Sequence, residues 1–341
     1  MKKILRGVCM MALVALAFTS CKKNNEQTEG IRFSGIAQNF EVQSIDEERA
    51  YIVINGTKFI TNFEKNDQIM VYNLNSDDAT LTNYGIYWTD KDGHIVDWYY
   101  SSGTVINHQP TETNLFAFYP AEIVNNARLW EGDNEAMFEL VDHQAYRTKG
   151  SNVLIPKGTM AMASRDTVAA NVEEKEFEFK NIMGGMWLRL TDSQSRTITS
   201  IVYEDNMFNV TGRVHLKIDE VDPNYLLDEL LLKYDPTDAT YLASLNEYIH
   251  RSGYYVDDAH AALKGKVITL DCGEGVQLNR TTPKDFFIIL RPLAMYGGFK
   301  VTFNFAEGEP LEWNYTGPAI GRDLMVKPNN LNRFIRDIAT L

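Results

Sequence analysis

Phe299-Lys300-Val301-Thr302-Phe303-Asn304-Phe305 decides the fold class, because its apolar residues fall on every second position. Side chains of a strand point alternately to opposite faces, so Phe299, Val301, Phe303 and Phe305 face a core while Lys300, Thr302 and Asn304 face water. Short runs of the same kind fill the chain on both sides: residues 31–36, 51–54, 68–74, 85–88, 95–100, 115–119, 136–141, 176–179, 186–190, 197–203, 212–218, 266–270, 285–290 and 310–315. Asp92-Gly93, between Tyr87-Trp88 and the run from Ile95, is a hairpin signal. About fifteen strands with almost no helix between them predict an all-β protein of antiparallel β-sandwiches.

One stretch breaks the pattern. Leu226, Leu227, Leu230 and Leu231, then Tyr241, Leu242, Leu245, Tyr248 and Ile249, recur at helical spacing, with Gly253 placed to end the second helix. The expectation is one helical insertion over residues 223–263. Residues 163–175 form a polar stretch with no β pattern, and the domain boundary is expected there. It separates an N-terminal sandwich over residues 31–165 from a C-terminal one over residues 172–341. Two domains suit a chain of 341 residues.

The start of the chain reads as an export signal. Lys2, Lys3 and Arg6 precede an apolar run from Gly7 to Phe18, about 12 residues where a membrane span needs about 20. The run ends in Phe18-Thr19-Ser20-Cys21, which resembles the lipobox of bacterial lipoproteins; residues 1–20 are then the signal and Cys21 the lipidated residue. An ordinary signal cleaved near Ser20, with Cys21 incidental, is the alternative. Residues 21–30 continue as a polar tether that cannot dock on a core. Of three cysteines, Cys9 leaves with the signal and Cys21 takes lipid, so Cys272 has no disulfide partner and the fold must rest on its cores.

A net charge of −13 repels phosphate backbones, and no basic block offsets it, so nucleic acid is excluded as a partner. No nucleophile elbow, phosphate loop, dinucleotide fingerprint or zinc-helix motif occurs, and the six histidines are scattered. No catalysis, cofactor or metal is expected. Asp90-Lys91-Asp92-Gly93 with Asp97 spaces acids around a glycine as calcium loops do, but lacks a bidentate Glu and reads as a hairpin turn. Trp88, Trp98 and Tyr100 could stack on a glycan, although about half the aromatics of two adjacent strands belong in a core. Asp166-Thr167-Val168 resembles a short O-glycosylation acceptor.

Several segments in order resemble the fimbrillin superfamily, the subunits of type V pili of anaerobic Gram-negative bacteria. Ile31-Arg32-Phe33-Ser34 is like their first strand; Phe63-Glu64-Lys65-Asn66-Asp67-Gln68-Ile69-Met70-Val71-Tyr72 is similar to F-x-x-G-D-x-I-x-V-Y; Phe116-Ala117-Phe118-Tyr119-Pro120 is close to F-x-A-Y-Y-P; and Phe179 to Gly184 is like F-x-H-x-x-A. Asn66, Asn181 and Gly184 replace the usual Gly, His and Ala, which suggests a divergent accessory or tip subunit. The resemblance implies two transthyretin-like sandwiches, a place at the outer membrane surface or in the pilus, and other pilus subunits as partners, with the membrane reached only through lipid.

It also implies maturation by an arginine-specific cut that removes the first strand. Arg49, in the charged run Asp46-Glu47-Glu48-Arg49, is the expected site and Arg32 the alternative. A neighbour's strand then fills the groove by strand exchange, with Ile31 and Phe33 marking the residues to be replaced. Leu331, Phe334, Ile335, Ile338 and Leu341 recur at three and four, a helical period that predicts a poor donor strand. A glycan-binding surface lipoprotein and a cell-surface hydrolase are the rival classes.

Overall fold

The computed structural model describes residues 30–45, 61–74, 84–121, 135–156, 158–206, 209–217, 254–255, 265–295, 297–316, 325–326 and 329–341. Seven strands close into a barrel in the order β1-β12-β11-β6-β3-β4-β5. They are β1 (Arg32–Ala37), β3 (Gln68–Asn73), β4 (Tyr84–Trp88), β5 (Ile95–Gly103), β6 (Thr113–Tyr119), β11 (Met162–Val168) and β12 (Glu174–Asn181). Closure leaves no sheet edge, so the first unit is a barrel where a sandwich was expected. Its interior is aromatic: Phe33, Phe63, Trp98, Phe177 and Phe179 pack on one another inside it, while Tyr72, Phe116 and Phe118 form a second buried row on the opposite face of β3 and β6.

Two sheets face each other across a second core. One has the order β18-β13-β23-β2, with β2 (Glu41–Ile45), β13 (Gly184–Thr191), β18 (Lys284–Leu290) and β23 (Asn330–Asp337). The other has the order β21-β20-β14-β17-β8, with β8 (His143–Ala145), β14 (Thr197–Asp205), β17 (Val267–Gln277), β20 (Phe299–Phe305) and β21 (Leu311–Tyr315). Phe334 of the first sheet meets Trp313 at 5.3 Å and Phe299 at 5.8 Å from the second, both near edge-to-face. Smaller sheets join β7 (Glu135–Leu140), β15 (Gly212–Lys217) and β16 (Tyr254–Tyr255), then β9 (Arg147–Lys149) and β10 (Asn152–Leu154), then β19 (Leu293–Ala294) and β22 (Met325–Val326).

Three expectations are corrected. The pairings are not all antiparallel: β1 runs parallel to β12, β23 parallel to both β13 and β2, and β17 parallel to β8. The boundary expected at residues 163–175 falls inside the barrel, because β11 occupies Met162–Val168 and β12 follows it; from Met186 onward the strands divide by face, with Met186, Leu188, Phe286 and Ile288 in the second core and Trp187, Phe287 and Ile289 in the first. The residues from Leu331, read as helical, form strand β23 as far as Asp337 and only then a short 3-10 turn. Of the expected helical insertion only Tyr254–Tyr255 is described, as a strand; the rest lies outside the described residues, as does the run 51–54.

Candidate functional site: the first strand and its groove

β1 lies between β5, antiparallel, and β12, parallel. The apolar alternation fixes its inward face: Ile31, Phe33 and Ala37 are buried, while the side chain of Arg32 points out and pairs with Glu174. Phe33 stacks on Phe177 at 5.1 Å and meets Tyr87 edge-on at 4.9 Å. Bonds continue past both ends of the strand, from Ile31 N–H to the Ile106 carbonyl at 2.9 Å and from Gln38 N–H to that of Phe179 at 2.8 Å. Arg32 is thus inside a paired strand, and Arg49 and Cys21 lie outside the described residues.

Gly35 is where the strand is most constrained. A Cβ built on it would fall 2.7 Å from Trp98 Nε1 and 2.8 Å from Phe179 Cε2. Its φ is not in the left-handed region, so the requirement is for space and not for backbone freedom. Trp98 cannot swing aside cheaply, since its ring packs on Phe63 at 5.0 Å and Phe179 at 6.2 Å. The sequence alone assigns Gly35 no role; the spacing Phe33-x-Gly35-x-Ala37 is the signal it offers.

The segments that carried the resemblance meet around this groove. Asp67 Oδ2 accepts hydrogen bonds from Glu64 N–H and Tyr119 Oη, each at 2.7 Å, which ties the turn before β3 to the end of β6. Asn66 in that turn has φ 71°, a conformation Asn tolerates better than most residues and one that explains its standing in for Gly. Asn181, buried, donates through Nδ2 to the Gln38 carbonyl at 2.8 Å and Asn329 Oδ1 at 2.7 Å. One side chain thereby holds the β1–β2 connection beside the start of β23.

The expected glycan platform is corrected. Trp98 is 2% exposed and belongs to the barrel core. Trp88 instead packs with Tyr99 at 5.8 Å and 46°, while Tyr100 sits at 75° to Tyr87 and donates its hydroxyl to the Gly103 carbonyl. With Trp98 buried, the three rings do not form one exposed platform. The acidic turn is likewise engaged: Asp92 accepts from Lys149 Nζ at 2.6 Å and Lys65 N–H at 2.8 Å, and Asp97 from Lys91 at 2.9 Å. The Lys149 bond, helped by the backbone one, holds Asp92 below its ordinary carboxylate range. Thr167, of the O-glycosylation-like triplet, is an exposed residue of β11 that donates to Asn114 Oδ1.

A cavity of about 750 Å³ lies where the barrel meets the β18 edge. Its four carboxylates are each taken: Glu64 by both contacts from Arg147 at 2.8 and 3.0 Å, Asp67 by Tyr119 Oη and Glu64 N–H, Asp92 by Lys149, and Asp285 by Trp187 Nε1 at 2.8 Å.

No protein-family model matches the sequence, and no curated protein matches it. Solved structures resemble it in chain path. They are adhesion and fimbrial proteins. A candidate cell adhesion protein from Bacteroides ovatus has a TM-score of 0.48 at 13% identity, over 90% of this chain and 92% of that one. A fimbrial protein from Bacteroides ovatus has 0.37 at 13% identity, over 91% of this chain and 49% of that one. A fimbrial assembly protein from Parabacteroides distasonis has 0.31 at 10% identity, over 89% and 91%.

Proposed function

We propose that this protein is a non-catalytic surface lipoprotein, anchored through Cys21, that acts as a pilus subunit and accepts a neighbour's strand once its own first strand is removed. One observation carries the reading: the chain upstream of Arg49 supplies β1 to the barrel and β2 to the edge of the four-stranded sheet. A single cut in the charged run at residues 46–49 leaves these strands held only by non-covalent contacts, whereas a cut at Arg32, the alternative, falls at the start of β1 and leaves both strands joined to the rest of the chain. Withdrawal of β1 opens the barrel and exposes unpaired backbone on both β5 and β12, together with the pockets that held Ile31, Phe33 and Ala37. An extended chain saturates all of them at once.

The donor role fits poorly. β23 lies between β13 and β2, so giving it up would split the sheet that holds the second core. An acceptor that does not donate suits a tip or capping position. The test is treatment of surface-displayed protein with an arginine-specific protease, followed by mass spectrometry of the new N-terminus and of the lipidated fragment. The reading expects an N-terminus at Ala50 and a diacylglyceryl group on Cys21. A mature chain that keeps β1 in assembled pili would overturn it, and polymers that vanish when residues 331–341 are deleted from otherwise folded protein would identify the tail as a donor.

A further inference from the structure

The packing around β1 says what kind of strand can replace it. From the geometry at Gly35 we infer that the barrel groove selects a partner strand of the form apolar-x-aromatic-x-Gly-x-Ala, with the glycine obligatory. This inference rests on the strand-exchange reading above and adds the identity of the partner. Four inward positions of the native strand define four sites of unequal tolerance. Ile31 lies near the mouth of the barrel, beside Ile106. Phe33 fills a slot between Phe177 and Tyr87 that a flat ring occupies. Ala37 is fully buried.

At Gly35 there is no slot at all. The indole edge of Trp98 and the ring of Phe179 occupy the volume of a Cβ, both within 2.8 Å of where it would stand. Trp98 Nε1 is buried there with no hydrogen-bond partner among the described residues. An indole N–H left in that state is a cost that an open site would relieve, so the ring is held by its neighbours and not by a bond it could exchange. The groove therefore excludes side chains at this register by sterics, and it does so in the middle of the strand, where a shift of one or two residues would put Phe33 or Ala37 positions out of place as well.

Direction is fixed too. β1 is antiparallel to β5 and parallel to β12, so an incoming strand must run as β1 does to reuse both rows of bonds. The chain's own β23 segment does not qualify, because no glycine follows any of its aromatic residues. One other stretch has the spacing, Trp313 to Ala319, but its Trp313 and Tyr315 pack against Phe334 in the second core, and Pro318 brings no N–H to the ladder. The fitting strand comes from another protein.

The test uses the full chain with one specific protease site placed in residues 46–50, cut while folded and kept with its excised segment. Fluorescent peptides of residues 31–45 carrying Gly35, Gly35→Ala or Gly35→Val are offered in excess, in urea at a concentration where the excised segment dissociates. Incorporation is followed by anisotropy and by co-elution on size exclusion. The glycine peptide is expected to enter, the alanine peptide to bind about tenfold or more weakly, and the valine peptide not to enter, since overpacking of a rigid core costs that much or more. Equal entry of the valine and glycine peptides would overturn the glycine rule and leave strand exchange standing. Entry of no peptide, the glycine one included, would overturn strand exchange itself and the inference with it.

Discussion

Removing the side-chain amide of Gln144 is expected to cost more than any surface change, because that amide substitutes for a missing strand. β18 is the edge of the four-stranded sheet, and at Ile289 its outward N–H and carbonyl are both satisfied by Gln144, through Oε1 at 2.9 Å and Nε2 at 2.7 Å. Gln144 sits on β8 of the facing sheet, so these two bonds close one side of the second sandwich. Both residues are buried, at 4% and 1% exposure. Gln144→Ala strands two backbone groups at about 1–3 kcal/mol each, and partial entry of water into the vacated space returns some of that, so a loss of about 3 kcal/mol follows. Gln144→Glu keeps the acceptor for Ile289 N–H but sets a carboxylate oxygen against its carbonyl, and it is expected to be no better than the alanine variant near neutral pH. Urea unfolding followed by tryptophan fluorescence gives the stability, and amide exchange at Ile289 reports the local bond. A loss under about 0.5 kcal/mol with the Ile289 amide still protected would refute the reasoning.

Phe33→Ala removes the main anchor of β1 and is expected to lower stability by about 3–5 kcal/mol by denaturant titration, a loss under 1 kcal/mol counting against β1 as a core strand. Burial pushes the Asp192 carboxyl up, but Arg196 Nε at 2.8 Å and the backbone N–H groups of Arg196 and Gln194 bring it below its ordinary range. Its contribution is therefore present above the unfolded carboxylate value of about 3.9 and is lost as pH falls through the lower folded value; Asp192→Asn is expected to lower stability near neutrality and to flatten the acid limb of a stability-against-pH curve. Burial pushes the Cys272 thiol up to about 12, so the folded protein is expected not to react with aromatic disulfide reagents at pH 8, whereas the urea-unfolded chain reacts promptly.

Much of the β architecture was legible wherever one face of a strand meets a core and the other meets water. Phe299–Phe305 alternates in burial along most of its length as its sequence does, and β1 alternates too. β23 misled for a physical reason. Leu331 is buried in the first core and Phe334 in the second, on opposite faces of one strand, and Ile338 follows in a turn; apolar residues alternating between two cores reproduce the three-and-four spacing of a helix. β11 was invisible because its inward positions include Ser164 and Asp166, with Asp166 paired to Lys175 at 3.1 Å, so the strand has no apolar rhythm. Parallel pairing left no local trace, since its partners are far apart along the chain. Of the candidate site, Phe33 was readable from alternation, but the demand for Gly35 depends on where Trp98 and Phe179 lie, which only the closed barrel determines.

β23 also fixes the order in which this protein can take shape. All seven barrel strands fall between Arg32 and Asn181, so every barrel pairing can form while much of the chain is still unmade, and Trp187, Phe287, Ile289 and Leu331 join its core later. The second core cannot form so early: Gly185 and Val42 both flank Leu331, and until that residue arrives β13 and β2 have no common neighbour and the rings of Phe299 and Trp313 lack Phe334. Such distant pairing is slow to form. Pulse-labelled amide exchange during refolding is expected to protect β3, β4 and β6 before β13 and β14, and the reverse sequence would be decisive against it. A chain built this way closes its barrel from neighbouring strands but keeps its second core open until β23 bridges the two ends of the sequence.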